Sequence, residues 1–409
     1  MKKPFKKISN NFYIVNFPNK TKEVYFDIYS KLGYFNESEK EFGIGHLLEH
    51  YLVESVPNKE KLEFVNGSIN SDFMNYYVKS DTKNAVRDIE ILLKGILLPK
   101  FDNENLLKRE KSVIENEIRS KKDIKIDAFN FLLKQNFGDN FLYARDKKNQ
   151  IVNTKNVKLF DLKNHYEKVF NEKNIFFVLS GYELDKNIEK KISDLVKGHK
   201  LSKHGKGSAK VKISEFQKNK LVKNSKYHWN NELVFNLCFN LPIKICRSHK
   251  DLKTLTMIRD YLEDQKFYFA KEMREIGVYS VSLDRMIWKN AGIIVLSAEI
   301  DREKIPVLKK GILNFLNNLE KDGISKSDIL KLRKMQKDRL EKSFVDNMKR
   351  LNWISNDLLF HNNVTLLKDD LVELKEIDSD YIKNFSKQIF DIKKSNIVVF
   401  GKGSDKIKF

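Results

Sequence analysis

Cysteine is scarce in this chain of 409 residues, which contains two, Cys238 and Cys246. They flank a Leu-Pro pair in an apolar, strand-like run, and their spacing does not suit a structural metal site. Because disulfide-stabilised secreted proteins are rich in cysteine, this scarcity favours a reducing compartment and two free thiols.

Long apolar runs are also missing. The basic residues 1–7 are not followed by an apolar stretch of signal-peptide length, because Asn10, Asn11 and Asn16 interrupt the next run. We see no segment with the roughly 20 apolar residues that a membrane-spanning helix needs. We therefore expect a cytoplasmic protein with no membrane partner.

Acidic residues are outnumbered, since 77 Lys and Arg face 56 Asp and Glu, which gives a net charge of +21. Such an excess can indicate a nucleic acid, an anionic membrane or an acidic peptide as partner. Here the lysines are scattered along the whole chain, with no dense basic tract interleaved with aromatics. We interpret the charge as the compositional bias of an AT-rich genome and expect no nucleic-acid partner.

The composition, 41% hydrophobic and 11% aromatic, is globular, and the length suits two or three domains. Both halves mix predicted strands with predicted helices, and each ends in a helix followed by an apolar strand, at 174–181 and 396–401. The polar, Gly- and Lys-rich segment 198–212 reads as a linker between domains 1–197 and 213–409. We predict an α+β fold of two similar, sandwich-like halves, each a mixed sheet with packed helices.

Histidine is rare as well, with eight in the chain, yet two of them frame the motif His46-Leu47-Leu48-Glu49-His50. This H-x-x-E-H pattern is the zinc-peptidase signature in reversed order. Residues four apart lie on one face of a helix, so both histidines can bind one metal ion. Glu49 can then deprotonate a zinc-bound water, whose pKa zinc lowers toward ~7. The alternative is a helix with two partly buried histidines and a surface glutamate.

A catalytic zinc site needs a third protein ligand and one open position. Glu110 and Glu117, seven residues apart, share one face of a helix predicted for 103–119. Glu117 could bind the metal, and Glu110 could accept a hydrogen bond from the free ring N–H of a motif histidine. Taken alone, ordinary surface acids on a charged helix would explain this pattern better.

Three further segments within the first 120 residues point to a known group of enzymes. Asn-Gly-Ser-Ile-Asn at 66–70 is similar to a Gly-Gly-x-x-Asn turn, and Leu-Leu-Pro-Lys-Phe-Asp at 97–102 precedes a closely matching helix segment at 109–118. With the motif, they make the chain resemble the pitrilysin family of zinc metallopeptidases. This family includes pitrilysin, insulin-degrading enzyme and the shorter, two-domain processing-peptidase group related to the mitochondrial processing peptidase.

The resemblance implies the role of each residue in the metal site. His46, His50 and Glu117 would bind one Zn²⁺ per chain, Glu49 would act as the general base, and Glu110 would orient a ligand. It also implies a clamshell arrangement of the two halves around a chamber.

Substrate binding would use other residues. By resemblance, Asn70 and Ser71 would lie on an edge strand to which a peptide adds as an extra strand. Active family members also offer an Arg and a Tyr, seven residues apart, that bind the substrate and help to polarise the scissile carbonyl. Here Arg274 and Tyr279 are five apart, and the stretch between Asn70 and Tyr77 is shorter than usual.

We therefore expect a zinc-dependent endopeptidase of the inverzincin type that cleaves peptides or unfolded segments. Two halves make up half of a four-domain chamber, so we expect a homodimer or a heterodimer with a related subunit. One alternative is the zinc-bearing subunit of a heterodimeric processing peptidase whose partner supplies the Arg/Tyr pair. Another is a non-catalytic scaffold subunit.

Overall fold

Two structural units, each assembled from separate segments, divide the chain. A computed structural model describes residues 5–9, 11–16, 22–120, 124–138, 147–181, 186–199, 201, 216–218, 220–224, 233–278 and 280–407. The first unit comprises the described parts of Met1–Lys121, Arg145–Val211 and Lys342–Val364, and the second comprises those of Lys122–Ala144, Lys212–Glu341 and Thr365–Phe409. Each unit thus takes one segment from the other half of the chain. The boundaries predicted at 198–212 do not include this exchange, and most of the predicted linker lies outside the described residues.

The first unit contains a six-stranded mixed sheet with the order β1-β2-β6-β3-β5-β4. Its strands are β1 (Phe5–Ser9), β2 (Phe12–Asn16), β3 (Glu23–Ser30), β4 (Phe64–Ile69), β5 (Met74–Asp81) and β6 (Ile175–Gly181). Strands β2 and β6 are parallel, whereas the other neighbours are antiparallel. Strand β4 therefore lies at one edge of the sheet.

Helices cover both faces of this sheet. They are α1 (Ile44–Glu54), α2 (Ala85–Leu97), α3 (Glu104–Ser120), α5 (Lys147–Asn156), α6 (Leu159–Val169), α7 (Lys186–Gly198) and α13 (Asn347–Phe360). Side chains alternate along a strand, so β3 sends Phe26 and Ile28 into the core beneath α1 and Tyr25 and Tyr29 into the core beneath α13. Strand β3 is buried on both faces from Val24 to Ser30, and it is mostly apolar apart from Asp27, which accepts hydrogen bonds from Asn75 on β5, and Ser30.

The second unit contains a five-stranded mixed sheet with the order β7-β11-β8-β10-β9. Its strands are β7 (Leu221–Asn224), β8 (Leu233–Asn240), β9 (Ser282–Ile287), β10 (Gly292–Ile300) and β11 (Asn396–Phe400). Its helices are α4 (Ile124–Phe137), α8 (Ile243–Cys246), α9 (His249–Glu263), α10 (Tyr268–Glu275), α11 (Ile305–Lys321), α14 (Leu367–Lys375) and α15 (Ser379–Ile389), with α12 (Lys326–Val345) beginning in this unit.

The two sheets repeat one another. Strands β2-β6-β3-β5-β4 of the first correspond in order and direction to β7-β11-β8-β10-β9 of the second, including one parallel pair in each. The apolar segments that suggested a repeat, 174–181 and 396–401, contain the equivalent strands β6 and β11. The predicted α+β class with two similar halves is confirmed.

The sequence also predicts a short helix over 59–65, and this prediction is wrong beyond the first residues. Lys59–Lys61 form a single 3-10 turn, and β4 begins at Phe64. One helical turn is marginal by itself, whereas Phe64 gains a ring contact with Tyr77 on β5, with the ring centroids 5.6 Å apart. The segment therefore contributes an edge strand to the sheet.

The scarce cysteines are free and buried, as predicted. Burial raises the pKa of Cys238 to about 12 and that of Cys246 to about 11, so both thiols are protonated and unreactive at neutral pH. Within the described ranges, no helix has both the length and the apolar character needed to cross a membrane.

Candidate metal centre

Helix α1 carries the H-x-x-E-H motif and begins in an unusual way. The N-cap residue before it, Gly43, has a φ of 102°, a conformation that favours glycine, and it offers no side chain to cap the helix. The buried carboxylate of Glu37 accepts hydrogen bonds from the N–H groups of Gly43 and Gly45, both at 2.8 Å. A negative charge at a helix N-terminus is stabilising, and this one fixes the start of the motif helix.

The two motif histidines lie together on α1, with ring centroids 4.9 Å apart. Apolar residues of α1, including Leu47 and Leu48, are fully buried in the core, which turns the histidines to the helix side that faces α3. On α3, Leu107 and Ile114 are buried. The periodicity of the helix therefore places Glu110 and Glu117, three residues after each of them, on the face toward α1.

Three donor atoms from these two helices converge. Glu117 Oε2 lies 3.4 Å from His46 Nε2 and 3.6 Å from His50 Nε2. A tetrahedral zinc ion with bonds of about 2.1 Å to nitrogen and oxygen would separate its ligands by about 3.4 Å. The two imidazoles and one carboxylate therefore suit zinc in their chemistry, both distances to Glu117 suit its spacing, and a tetrahedral ion would keep one open position.

The remaining nitrogen of His50 is held by Glu110. Glu110 Oε2 lies 3.2 Å from His50 Nδ1, and the other oxygen of this buried carboxylate accepts a 2.7 Å hydrogen bond from Arg109 Nε. An ionised carboxylate only accepts hydrogen bonds, so Nδ1 must carry the proton and Nε2 keeps its lone pair. His50 is thereby held in the tautomer that can bind a metal through Nε2.

Glu49 lies beside the two histidines, and one donor atom from each of the three residues falls within 4.8 Å of the others. Its ion-pair partner among the described residues is His50, with Glu49 Oε2 3.8 Å from His50 Nε2. Burial raises the pKa of Glu49 to about 7; His50 opposes this shift, and the negative charges of Glu117 and Glu110 add to it. A carboxylate with a pKa near neutrality suits a general base, because it can both take and release a proton.

The position of Glu49 depends on a glycine in the sheet. A Cβ at Gly67 on β4 would lie 2.6 Å from Glu49 Oε1, which is closer than real contacts allow. The absence of a side chain at this point therefore lets the edge strand pass directly against the carboxylate.

The other predicted site residues lie elsewhere. Asn70 and Ser71 follow β4 in the turn to β5, where Asn70 Oδ1 accepts hydrogen bonds from the N–H groups of Asp72 and Phe73. Arg274 is exposed near the end of α10 in the second unit, and Tyr279 lies outside the described residues. Their roles in substrate binding stay predictions.

Sequence reasoning missed Glu37, Gly67 and Gln150, all of which contact the motif helix. Gln150 lies on α5, and its Nε2 is 3.4 Å from His46 Nδ1. Helix α5 was not predicted, because its ten residues contain only two adjacent apolar ones and so show no periodicity. Glu37 lies in no recognised pattern, and although Gly67 lies in the Asn-Gly-Ser-Ile-Asn segment, the sequence does not indicate its contact with Glu49, which depends on tertiary structure.

Two family models match most of the chain. Residues 14–138 match the family described as insulinase, peptidase family M16, and residues 156–336 match the one described as the peptidase M16 inactive domain. Together they span about three quarters of the chain. Both belong to the same peptidase family, and each falls mainly in one half.

Relatives cover nearly the whole length. The Bacillus subtilis (strain 168) protein named uncharacterized zinc protease YmxG is 22% identical over 371 residues, which are 85% of this chain and 86% of that one. The structure of a protease from Helicobacter pylori is similar with a TM-score of 0.79 and 17% identity, over 97% of this chain and 98% of that one. The periplasmic protease PqqL from Escherichia coli has a TM-score of 0.79 and 14% identity, over 99% of this chain and 48% of its own. The predicted resemblance is confirmed, and the chain belongs to the M16 (insulinase) family of peptidases.

Proposed function

We propose that this protein is a zinc-dependent endopeptidase of the H-x-x-E-H type. The observation that carries the proposal is the convergence of His46, His50 and Glu117, with donor atoms 3.4 and 3.6 Å apart, beside the buried carboxylate of Glu49. The family membership and the zinc protease relative support it further.

His46, His50 and Glu117 would hold the ion. Zinc bound there would lower the pKa of a water in its open position and polarise a substrate carbonyl. Glu49 would take the proton from the attacking water and pass it to the amine that leaves when the C–N bond breaks. Glu110 keeps the lone pair of His50 Nε2 directed at the site.

We propose that the substrate binds as an extra strand along β4. Among the described residues, β4 pairs only with β5, so its outer edge offers main-chain N–H and C=O groups. Gly67 on this strand lies against Glu49, so a peptide paired there would pass next to the base. Main-chain pairing favours extended peptides and unfolded segments over folded proteins.

We further propose that the working enzyme is a dimer. This chain contains two sheet-based units and spans about half the length of PqqL. Two chains together would therefore match the length of that protease. The partner would be a second copy or a related family subunit. Arg274 and Tyr279 are five residues apart instead of seven. If they do not bind substrate at this spacing, a related subunit that supplies the Arg/Tyr pair is the favoured partner.

The decisive experiment uses the purified full chain and a quenched fluorescent peptide. We expect cleavage that a chelator abolishes and added zinc restores, and we expect Glu49→Gln to abolish it with zinc content unchanged. Glu90→Gln, a half-buried acid paired with Lys94 on α2, is the matched control and should keep full activity. Cleavage that persists in Glu49→Gln would contradict the mechanism.

Two further outcomes separate the alternatives. A zinc-loaded chain that cleaves only after a related subunit is added would identify it as the zinc-bearing half of a heterodimer. A chain that binds no zinc would identify a scaffold subunit. Native mass spectrometry of the chain, alone and with a related subunit, measures both zinc content and assembly.

A further inference from the structure

We propose that Gln150 is a positioning residue that sets the tautomer of His46 and changes its hydrogen-bonding role when metal binds. This inference rests on the proposed function, because it assigns to Gln150 a part in the same metal site. It concerns zinc affinity and can be tested without measuring peptide cleavage.

Gln150 is held firmly against the motif helix. It is 8% exposed on α5, and Asn153 of the same helix donates hydrogen bonds to the carbonyls of Glu39 and Phe42 just before α1. A Cβ on Gly43 would lie 2.6 Å from Gln150 Cγ, so the missing side chain at the start of α1 makes room for the glutamine. These contacts bring its amide to 3.4 Å from His46 Nδ1.

The two histidines therefore have different partners at the equivalent nitrogen. His50 Nδ1 faces the carboxylate of Glu110, which can only accept, so its tautomer is fixed. His46 Nδ1 faces an amide, which can donate through Nε2 or accept through Oε1. The His46 site can therefore accommodate both neutral tautomers, whereas the His50 site accommodates one.

Each tautomer of His46 suits one state of the centre. With the amide nitrogen toward Nδ1, Gln150 donates, and the proton on His46 Nε2 points to Glu117 Oε2, 3.4 Å away. In the metal-free protein, this neutral tautomer of His46 gives the carboxylate of Glu117 a hydrogen-bond donor. To bind a metal, Nε2 must lose that proton and Nδ1 must carry it, and a half-turn of the amide makes Oε1 the acceptor.

The test is zinc affinity, measured by competition with a chromophoric chelator on the full chain. Gln150→Leu removes the partner, and we expect zinc to bind roughly 10-fold more weakly, the lower end of what such partners contribute. Gln150→Glu keeps an acceptor, and we expect at least wild-type affinity. Lys155→Met, on the same helix, removes an ion pair with Glu115 and leaves Gln150 and its anchoring bonds in place, and we expect an affinity close to that of the wild type.

A second readout reports the tautomer itself. Imidazole ¹⁵N shifts of the metal-free protein should show the proton of His46 on Nε2 in the wild type and on Nδ1 in Gln150→Glu. Equal zinc affinity in Gln150→Leu and the wild type, or an unchanged tautomer in Gln150→Glu, would overturn the inference. Weakening by Lys155→Met as large as that by Gln150→Leu would also overturn it, because a general loosening of α5 would then explain the loss.

The failure of this inference differs from the failure of the proposed function. If the wild type binds no zinc, the proposed function is wrong. If the wild type binds zinc and cleaves peptide while Gln150→Leu binds zinc equally well, only the role of Gln150 is wrong.

Discussion

Helices α1 and α9 follow equivalent strands in the two units, β3 and β8, yet their buried polar residues differ in kind. On α9 the buried charges are paired within the protein: Lys253 bonds Asp370 and Glu373, and Asp260 accepts from Gln336 and Arg339. On α1 the motif residues His46, Glu49 and His50 instead converge on one point with Glu117, which approaches both histidines.

This difference shows how one architecture serves two purposes. A buried charge is costly unless it is paired, and on α9 fixed ion pairs offset that cost. The donors on α1 gather around a point where a cation would pair with all of them. The family model that matches 156–336, and so includes α9, is described as an inactive domain, in agreement with this contrast.

The largest expected effect comes from removing the ligand that α3 supplies. Glu117→Gln should weaken zinc binding by about 1,000-fold or more, because even an outer partner of a ligand can be worth up to about 100-fold. Glu115→Gln, on the same helix but paired with Arg119 and Lys155, is the matched control. Zinc titration of both variants measures the difference. Equal zinc affinities in the two variants would show that Glu117 does not bind the metal.

The second effect concerns the ion pairs of α9. Asp370→Leu leaves Lys253 buried with only the more exposed Glu373, and we expect the free energy of unfolding to fall by about 3 kcal/mol. Zinc affinity should not change. The double variant Lys253→Met, Asp370→Leu should recover most of the loss, because it leaves no unpaired charge. Urea unfolding checks the stabilities, and no recovery in the double variant would contradict the account.

His165, also in the first unit, is an example of a histidine buried by packing and not by metal binding. Burial lowers the pKa of His165 to about 4, and the nearby Lys168 adds to this shift while Glu41 opposes it. The neutral form is favoured in the folded state, so stability present above pH 6.5 should be lost as the pH falls toward 4, by up to about 3 kcal/mol.

Urea unfolding of chelator-treated protein between pH 7 and 4 measures this loss. His165→Phe should show a shallower decline than the wild type, because its side chain cannot take up a proton. Parallel declines in the two proteins would show that His165 does not contribute.

The smallest of these effects should come from Glu110→Gln. The amide can still accept from His50 Nδ1 but no longer carries the charge that strengthens this hydrogen bond, so we expect zinc to bind roughly 10-fold more weakly. Isothermal titration in the same buffer as for Glu117→Gln would rank the two glutamates. A larger loss for Glu110→Gln than for Glu117→Gln would reverse their proposed roles.

The part of the site that follows helical periodicity could be predicted from the sequence. The spacing of His46 and His50 and that of Glu110 and Glu117 fix which side chains share a face, and the structure brings these two faces together. The repeat was visible because β6 and β11 are buried on most positions and therefore read as apolar runs.

The rest depends on contacts between segments far apart in sequence. Gln150 is 104 residues from His46 and lies on a helix without apolar periodicity, so nothing local indicates its role. The turn at Lys59–Lys61 and the strand from Phe64 illustrate a second reason. There the pairing of β4 with β5 decides the structure, and local helix propensity does not.

The central claim is that α1 and α3 together form a zinc centre in the first unit. A crystal structure of the zinc-loaded protein, with anomalous data at the zinc absorption edge, tests it most directly. The account predicts one anomalous peak per chain, about 2.1 Å from His46 Nε2, His50 Nε2 and a carboxylate oxygen of Glu117. A peak bound by other residues, or no peak in protein soaked with zinc, would contradict it.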